Sequence, residues 1–183
     1  MWRVFSLALV LLMYTYSPAQ TYYEKGYLVN EKGDTIRGEV KLNQKKPVEI
    51  YNKLTFRDEK GVQKNYKPEK VLSYGFSGRH FIKLDYGGEE MYYEVLCRGP
   101  INFYKLVFEA MYTKEVSLEP EYYLNRIGSK KVVVVKTNKF KKQLSDWMED
   151  NPEFINGYVE EKEFSEAKAR EVIEQYNTWK VTH

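Results

Sequence analysis

The sequence predicts an α+β chain, an antiparallel β-rich region followed by two to three amphipathic helices. The β-rich part reads as a meander, a roll or a partly open barrel. Three observations predict this. Apolar residues recur at every second position through the first two thirds, with charges between them, as strands with one wet face require. Short clusters of Gly, Asn, Asp and Pro separate the runs, in the manner of turns. After residue 136 the apolar spacing lengthens to that of a helix face. The expected division is a signal at 1–19, a β-rich domain at 20–136, and a helical segment at 137–183 packed on it.

Residues 1–19 read as a secretory signal. Arg3 supplies the basic start, and Val4 to Tyr16 is an uncharged, mostly apolar run. That run is shorter than the roughly 20 residues of a membrane-spanning helix. Ser17 and Ala19 place small residues before Gln20, where a signal peptidase cuts. The expectation is an exported protein, periplasmic or associated with the outer membrane, with no transmembrane segment in its mature part.

Residues 26–30 form the first predicted strand, and Glu31, Lys32, Gly33 and Asp34 the turn after it. In 35–42, Ile36, Val40 and Leu42 oppose Arg37, Glu39 and Lys41. In 47–57, Val48, Ile50, Leu54 and Phe56 oppose Glu49, Lys53 and Arg57, so this stretch also reads as a strand. Strands follow at 62–67, 71–76, 79–86 and 89–98, with one helical turn at 68–70 and a Gly87-Gly88 hairpin. Gly99-Pro100 breaks the chain before 101–108, whose two faces are both apolar, so both are expected to be covered. Predicted strands at 111–118, 122–127 and 131–136 complete the β region.

The helices come last. Phe140, Leu144, Trp147 and Met148 lie on one face of a helix over 138–149. Pro152 suits the first turn of a short helix carrying Phe154, Ile155, Tyr158 and Val159. Ser165 is placed to cap a final helix with the stripe Ala169, Val172, Ile173, Tyr176 and Trp179. Each stripe needs cover, and the sheet is the simplest source.

Gly26-Tyr27-Leu28-Val29-Asn30, followed by Gly33-Asp34-Thr35-Ile36-Arg37-Gly38, resembles the hairpin that opens a group of uncharacterised exported proteins of Bacteroidota. The Phe140 helix, the Asp150 to Pro152 break and an ending near Tyr176-Asn177 also resemble that group. In some relatives the module precedes an outer-membrane β-barrel, and no barrel-like strands follow residue 136 here. The resemblance implies a compartment and an architecture, with no activity to transfer.

Composition narrows the function. The chain has 183 residues and a net charge of +3, too small an excess to point to nucleic acid. One cysteine and two histidines leave no intrachain disulfide and no Cys/His zinc set. Nucleotide-binding, metalloprotease and serine-hydrolase motifs are absent from the sequence, so no catalytic residue, cofactor or metal is expected. If the chain were an enzyme, its candidates would be His80, Cys97 and the hairpin carboxylates Asp85, Glu89 and Glu90. Cys97 shares a period-two face with Met91, Tyr93 and Val95, which favours a buried thiol.

Tyrosine is the one excess, 17 residues in all. The pairs Tyr22-Tyr23, Tyr92-Tyr93 and Tyr122-Tyr123 send neighbours to opposite faces of a strand. One member of each is therefore expected to meet solvent or a helix, and the six residues form a candidate binding face. The expected function is a non-enzymatic envelope or periplasmic module that binds a protein. The alternative is a small-ligand or glycan binder using the tyrosine-lined face.

Overall fold

The computed structural model describes residues 21–112, 115–156 and 164–183; the expected signal at 1–19 lies outside them. Among the described residues ten strands form one antiparallel sheet: β1 (Thr21–Asn30), β2 (Thr35–Asn43), β3 (Leu54–Asp58), β4 (Gln63–Tyr66), β5 (Val71–Phe76), β6 (Arg79–Tyr86), β7 (Glu89–Cys97), β8 (Ile101–Tyr112), β9 (Glu115–Arg126) and β10 (Val132–Val134). Their order is β10-β9-β8-β7-β6-β5-β1-β2-β3-β4. Two meanders thus join where β1 pairs with β5. A short helix α1 (Glu49–Asn52) links β2 to β3, and α2 (Phe140–Trp147), α3 (Glu153–Asn156) and α4 (Glu166–Thr182) follow the sheet. The chain is α+β with β dominant, as its patterning predicts.

The opening hairpin shows what its motif residues do. Asn30 Oδ1 accepts from the backbone N–H groups of Lys32 and Asp34 at 2.9 and 3.0 Å, closing the turn. Gly26 and Gly38 stand opposite each other across β1 and β2. A Cβ on Gly26 would fall 2.2 Å from the Gly75 carbonyl oxygen, and one on Gly38 2.2 Å from that of Arg57. Only glycine allows so close an approach, which lets β5, β1, β2 and β3 curl tightly.

The curl defines an inner face. Leu28, Val40, Phe56, Tyr74, Phe81 and Tyr92 lie on it and are buried. Tyr74 Oη donates to the Ile50 carbonyl and Tyr92 Oη to that of Lys67, so the β2–β3 and β4–β5 connections both fold over this face. Tyr51 of α1 packs edge-on against Phe81. This corrects the expected strand over 47–57, whose first half is helix. Val48 and Ile50 alternate by accident of spacing, and burial of Tyr51 against the inner face decides the matter.

A second correction concerns 111–118, expected as one strand. β8 ends at Tyr112 and β9, antiparallel to it, begins at Glu115 and runs unbroken through 118 and 122. No Gly, Pro, Asn or Asp stands within 111–118 to divide the predicted strand.

The outer face is covered near β8 by the sheet itself. Tyr86 on β6 reaches Tyr123 on β9, ring centroids 5.1 Å apart, and Tyr93 packs on the same ring at 4.9 Å. In a flat sheet, β6 and β9 would be about 14 Å apart. The sheet therefore folds toward its outer face between β7 and β8, where the register shifts between Val95 and Cys97.

The C-terminal helices cover the inner face at the other end. Phe140, Leu144, Ala169, Val172, Ile173 and Tyr176 pack on Ile101, Phe103, Tyr122 and Leu124. The Ser165 side chain accepts from Lys168 N, the expected cap. Asn177 fixes the far end of α4. Its Oδ1 accepts from Ile101 N at 2.8 Å and its Nδ2 donates to Ile101 O at 2.7 Å, imitating a neighbouring strand. Tyr158 and Val159, expected on the middle helix, lie outside the described residues.

Candidate functional site

The residues singled out by sequence fall in separate places. His80 is exposed on the outer face, where its Nδ1 lies 2.8 Å from Tyr27 Oη. Cys97 is buried with Phe103 and Ile173 beneath the helices, on the inner face. The two share no site. Burial, with Glu174 nearby, pushes the Cys97 thiol up to about 12, so the reactive thiolate is scarce at neutral pH. Asp85 Oδ1 accepts from Gly88 N at 2.9 Å and serves the hairpin turn. Glu90 pairs with Lys83 at 3.1 Å, and Glu89 is exposed at the same tip.

Four of the six paired tyrosines are core residues: Tyr92, Tyr93, Tyr122 and Tyr123. Their neighbours do point to opposite faces, and both faces are covered. Tyr22 is exposed, and Tyr23 lies under the Arg57 guanidinium at 3.9 Å.

A partly buried charged cluster centred on Glu94 joins sheet to helices. Arg79 Nε and Nη2 donate to the two oxygens of Glu94 at 2.7 and 2.8 Å. Lys105 Nζ lies 3.5 Å from Glu94 and 3.2 Å from Glu166, the first residue of α4. Tyr122 Oη donates to Glu166 at 2.9 Å. Burial pushes the Glu94 carboxyl up, but Arg79 and then Lys105 pull harder and hold it below its ordinary value. Two cations face two carboxylates, and no buried side-chain polar atom among the described residues lacks a partner.

The unsatisfied surface lies just beyond it. β8 pairs with β7 no further than Lys105, and β10 meets β9 only at residues 123–125. From 106 to 121 the two strands are therefore paired only with each other among the described residues. Along this arm the inner face carries Val107, Met111, Val116, Leu118 and Pro120, as cross-strand pairing and alternation from Phe103 dictate. Met111 is 77% exposed, Val116 59% and Leu118 49%. On the outer face Phe108 and Tyr112 are exposed as well. An isolated two-stranded ribbon is marginal in water, and contiguous apolar exposure of this kind marks contact surfaces.

The arm is also acidic. Glu109, Glu115, Glu119 and Glu121 lie along it, and none forms an ion pair among the described residues. Glu119 and Glu121 accept only from the neutral hydroxyls of Ser117 and Tyr123. Sequence reasoning missed this site. The available signal is that apolar and acidic residues mix on both faces of two strands each 12 residues long, about twice the usual length.

Among the described residues no group of His, Cys, Asp and Glu converges as a metal site, and no helix is long and apolar enough to cross a membrane. A cleft of about 540 Å³ on the outer face is lined by Lys25, Arg37, Glu39, Arg57, Asp58 and Glu59, with balanced charge. Comparison with family models, with curated proteins and with solved structures returns no match.

Proposed function

We propose that this chain is a non-enzymatic binding module of the cell envelope that docks a protein partner through the β8–β9 arm. One observation carries the reading: the arm exposes Met111, Val116 and Leu118 on strands paired only with each other. Covering them removes apolar surface from water and steadies a ribbon that is marginal alone. The separation of His80 from Cys97, and the thiol's raised pKa, count against a thiol enzyme built on that pair. The signal-like residues 1–19 and the opening hairpin support export to the periplasm or the outer membrane.

The reading is tested by cross-linking the tagged protein in cells and identifying its adducts from the envelope fraction. One dominant protein adduct, lost in a Met111→Ser/Val116→Ser variant, is expected. An adduct pattern indifferent to that variant would refute the arm as the docking element. The glycan or small-ligand alternative rests on an outer-face trough of about 460 Å³ that includes Tyr27, Lys25 and Arg37. It predicts glycan binding that Tyr27→Ala abolishes and Met111→Ser leaves intact.

A further inference from the structure

We infer that the chain also docks on an anionic lipid surface, through the β9–β10 turn and the lysine-rich sheet edge beside it, with Ile127 entering the apolar layer. This inference goes beyond the protein-docking arm and does not rest on it.

Charge is the first observation. Residues 127–145 hold six lysines and no Asp or Glu. The whole chain is only +3, so the rest of it is net negative and this stretch is its basic pole. The lysines gather in space as well, because β10 is the edge strand of the sheet and α2 lies against it. Gln143 of α2 holds the two together: its Nε2 donates to Val134 O at 2.8 Å, and its Oε1 accepts from Lys136 N at 2.9 Å. At the other end of α2, Arg126 Nη2 donates to Trp147 O at 3.0 Å, and its guanidinium stands over the indole ring. Lys130 and Lys131 flank one end of β10, with Lys136, Lys139 and Lys142 beyond the other, and all five are exposed. None of the five forms an ion pair among the described residues.

The neighbouring carboxylates do not cancel this charge. Asp150 is taken by Lys180 and Tyr176, and Glu121 accepts from Tyr123. Asp146 and Glu149 follow near the end of α2. Set against five free lysines and Arg126, they leave the edge cationic. Such an edge attracts a surface of phosphate groups.

The second observation selects a bilayer among anionic surfaces. Ile127 is 72% exposed at the head of the β9–β10 turn, where Gly128 takes a φ of 76°. Arg126, Lys130 and Lys131 lie to either side of it in sequence. An exposed isoleucine alone is ordinary. An apolar tip collared by cations matches the two layers of a lipid surface, phosphates above and acyl chains beneath. A soluble polyanion offers only the charge and would leave Ile127 in water. Residue 127 and the arm's tip lie at opposite ends of β9, which is 12 residues long, so lipid and protein contacts do not compete.

The test places an environment-sensitive NBD fluorophore on Ile127→Cys in the whole protein. Cys97 is buried and stays unlabelled at neutral pH. Vesicles of phosphatidylglycerol and phosphatidylethanolamine are expected to shift the emission to the blue, and phosphatidylcholine vesicles are not. Lys130→Gln/Lys131→Gln in the labelled protein should weaken that binding at least about tenfold. Raised salt should weaken it too. These lysines are exposed, so an unchanged thermal melt keeps the comparison interpretable. The same fluorophore on Val62→Cys, exposed between β3 and β4 at the opposite edge of the sheet, should show no shift, which separates this site from contacts made elsewhere in the chain.

Absence of a shift at position 127 overturns the inference, as do equal shifts with neutral vesicles, equal shifts at position 62, or indifference to the lysine substitutions. Binding of soluble polyphosphate without any response to vesicles would assign the edge to a polyanion and refute lipid docking. A protein captured in cells by a photo-cross-linker at position 127 would refute it as well.

Discussion

Asn177 to Ala should detach α4 from the sheet more than any nearby substitution of similar size. Asn177 is buried, and its side-chain amide satisfies both backbone groups of Ile101. Alanine leaves that N–H and that C=O without partners in a closed interior. Each orphaned group costs about 1–3 kcal/mol, so the loss is about 2–5 kcal/mol after partial relaxation. For a chain of this size each kcal/mol lowers Tm by about 2–4 °C, which sets a fall of about 5–15 °C. Circular dichroism melts of the protein and the variant measure it. Thr178→Ala is the control, because Thr178 is exposed and its hydroxyl donates to Glu174 O in its own helix. The control should shift Tm by about 1 °C or less. Gly99→Ala offers a converse test, since its Cβ would fall 2.6 Å from the Asn177 amide carbon and push that side chain off Ile101. An Asn177→Ala melt indistinguishable from the control would refute the claim that this amide pins the helix.

Three further outcomes follow from the buried groups. Glu94 has a lowered pKa because Arg79 and Lys105 outweigh the effect of burial, so its contribution is present above the unfolded value near 4.3 and is lost as pH falls through the folded one. Arg79→Ala should therefore cost about 2–4 kcal/mol at pH 7, the lower part of the range because Arg79 keeps some solvent, and Glu94→Gln added to it should recover much of that in urea titrations. Tyr93 and Tyr104 are raised by burial to about 12, so the folded state holds protons that the unfolded state releases near pH 10 and stability falls as pH rises through that window. Absorbance at 295 nm should show exposed tyrosines ionising first and the buried ones only with loss of the circular dichroism signal. Cys97, raised to about 12, should react with a disulfide reagent at pH 8 roughly a thousandfold more slowly in the folded protein than in guanidinium, and fast native labelling would contradict its burial.

Local chemistry made much of the sheet legible. The Gly87-Gly88 turn, the Asn30 to Asp34 turn and the Ser165 cap each depend on residues adjacent in sequence, and each forms where expected. The failures depend on contacts between distant residues. Val48 and Ile50 alternate as in a strand, yet Tyr51 is held against Phe81 and drives a helical turn. Tyr92-Tyr93 and Tyr122-Tyr123 alternate as expected, but curling and folding of the sheet cover both sides. The arm was hidden for the same reason. Met111, Val116 and Leu118 read as ordinary strand residues, and their exposure depends on β8 leaving β7 beyond Lys105. The extent of β7–β8 pairing, with its register shift between Val95 and Cys97, is a property of two strands together and is not encoded within the arm itself.

The most direct measurement is site-specific photo-cross-linking in living cells, with the photoreactive residue placed at Met111 or at Ile127. Both positions are strongly exposed, at 77% and 72%, and only Met111 lies on the arm. A docking arm predicts one dominant protein adduct from position 111 and none of comparable yield from position 127. Equal adducts from both positions, or none from position 111 in cells that express the protein, would contradict it.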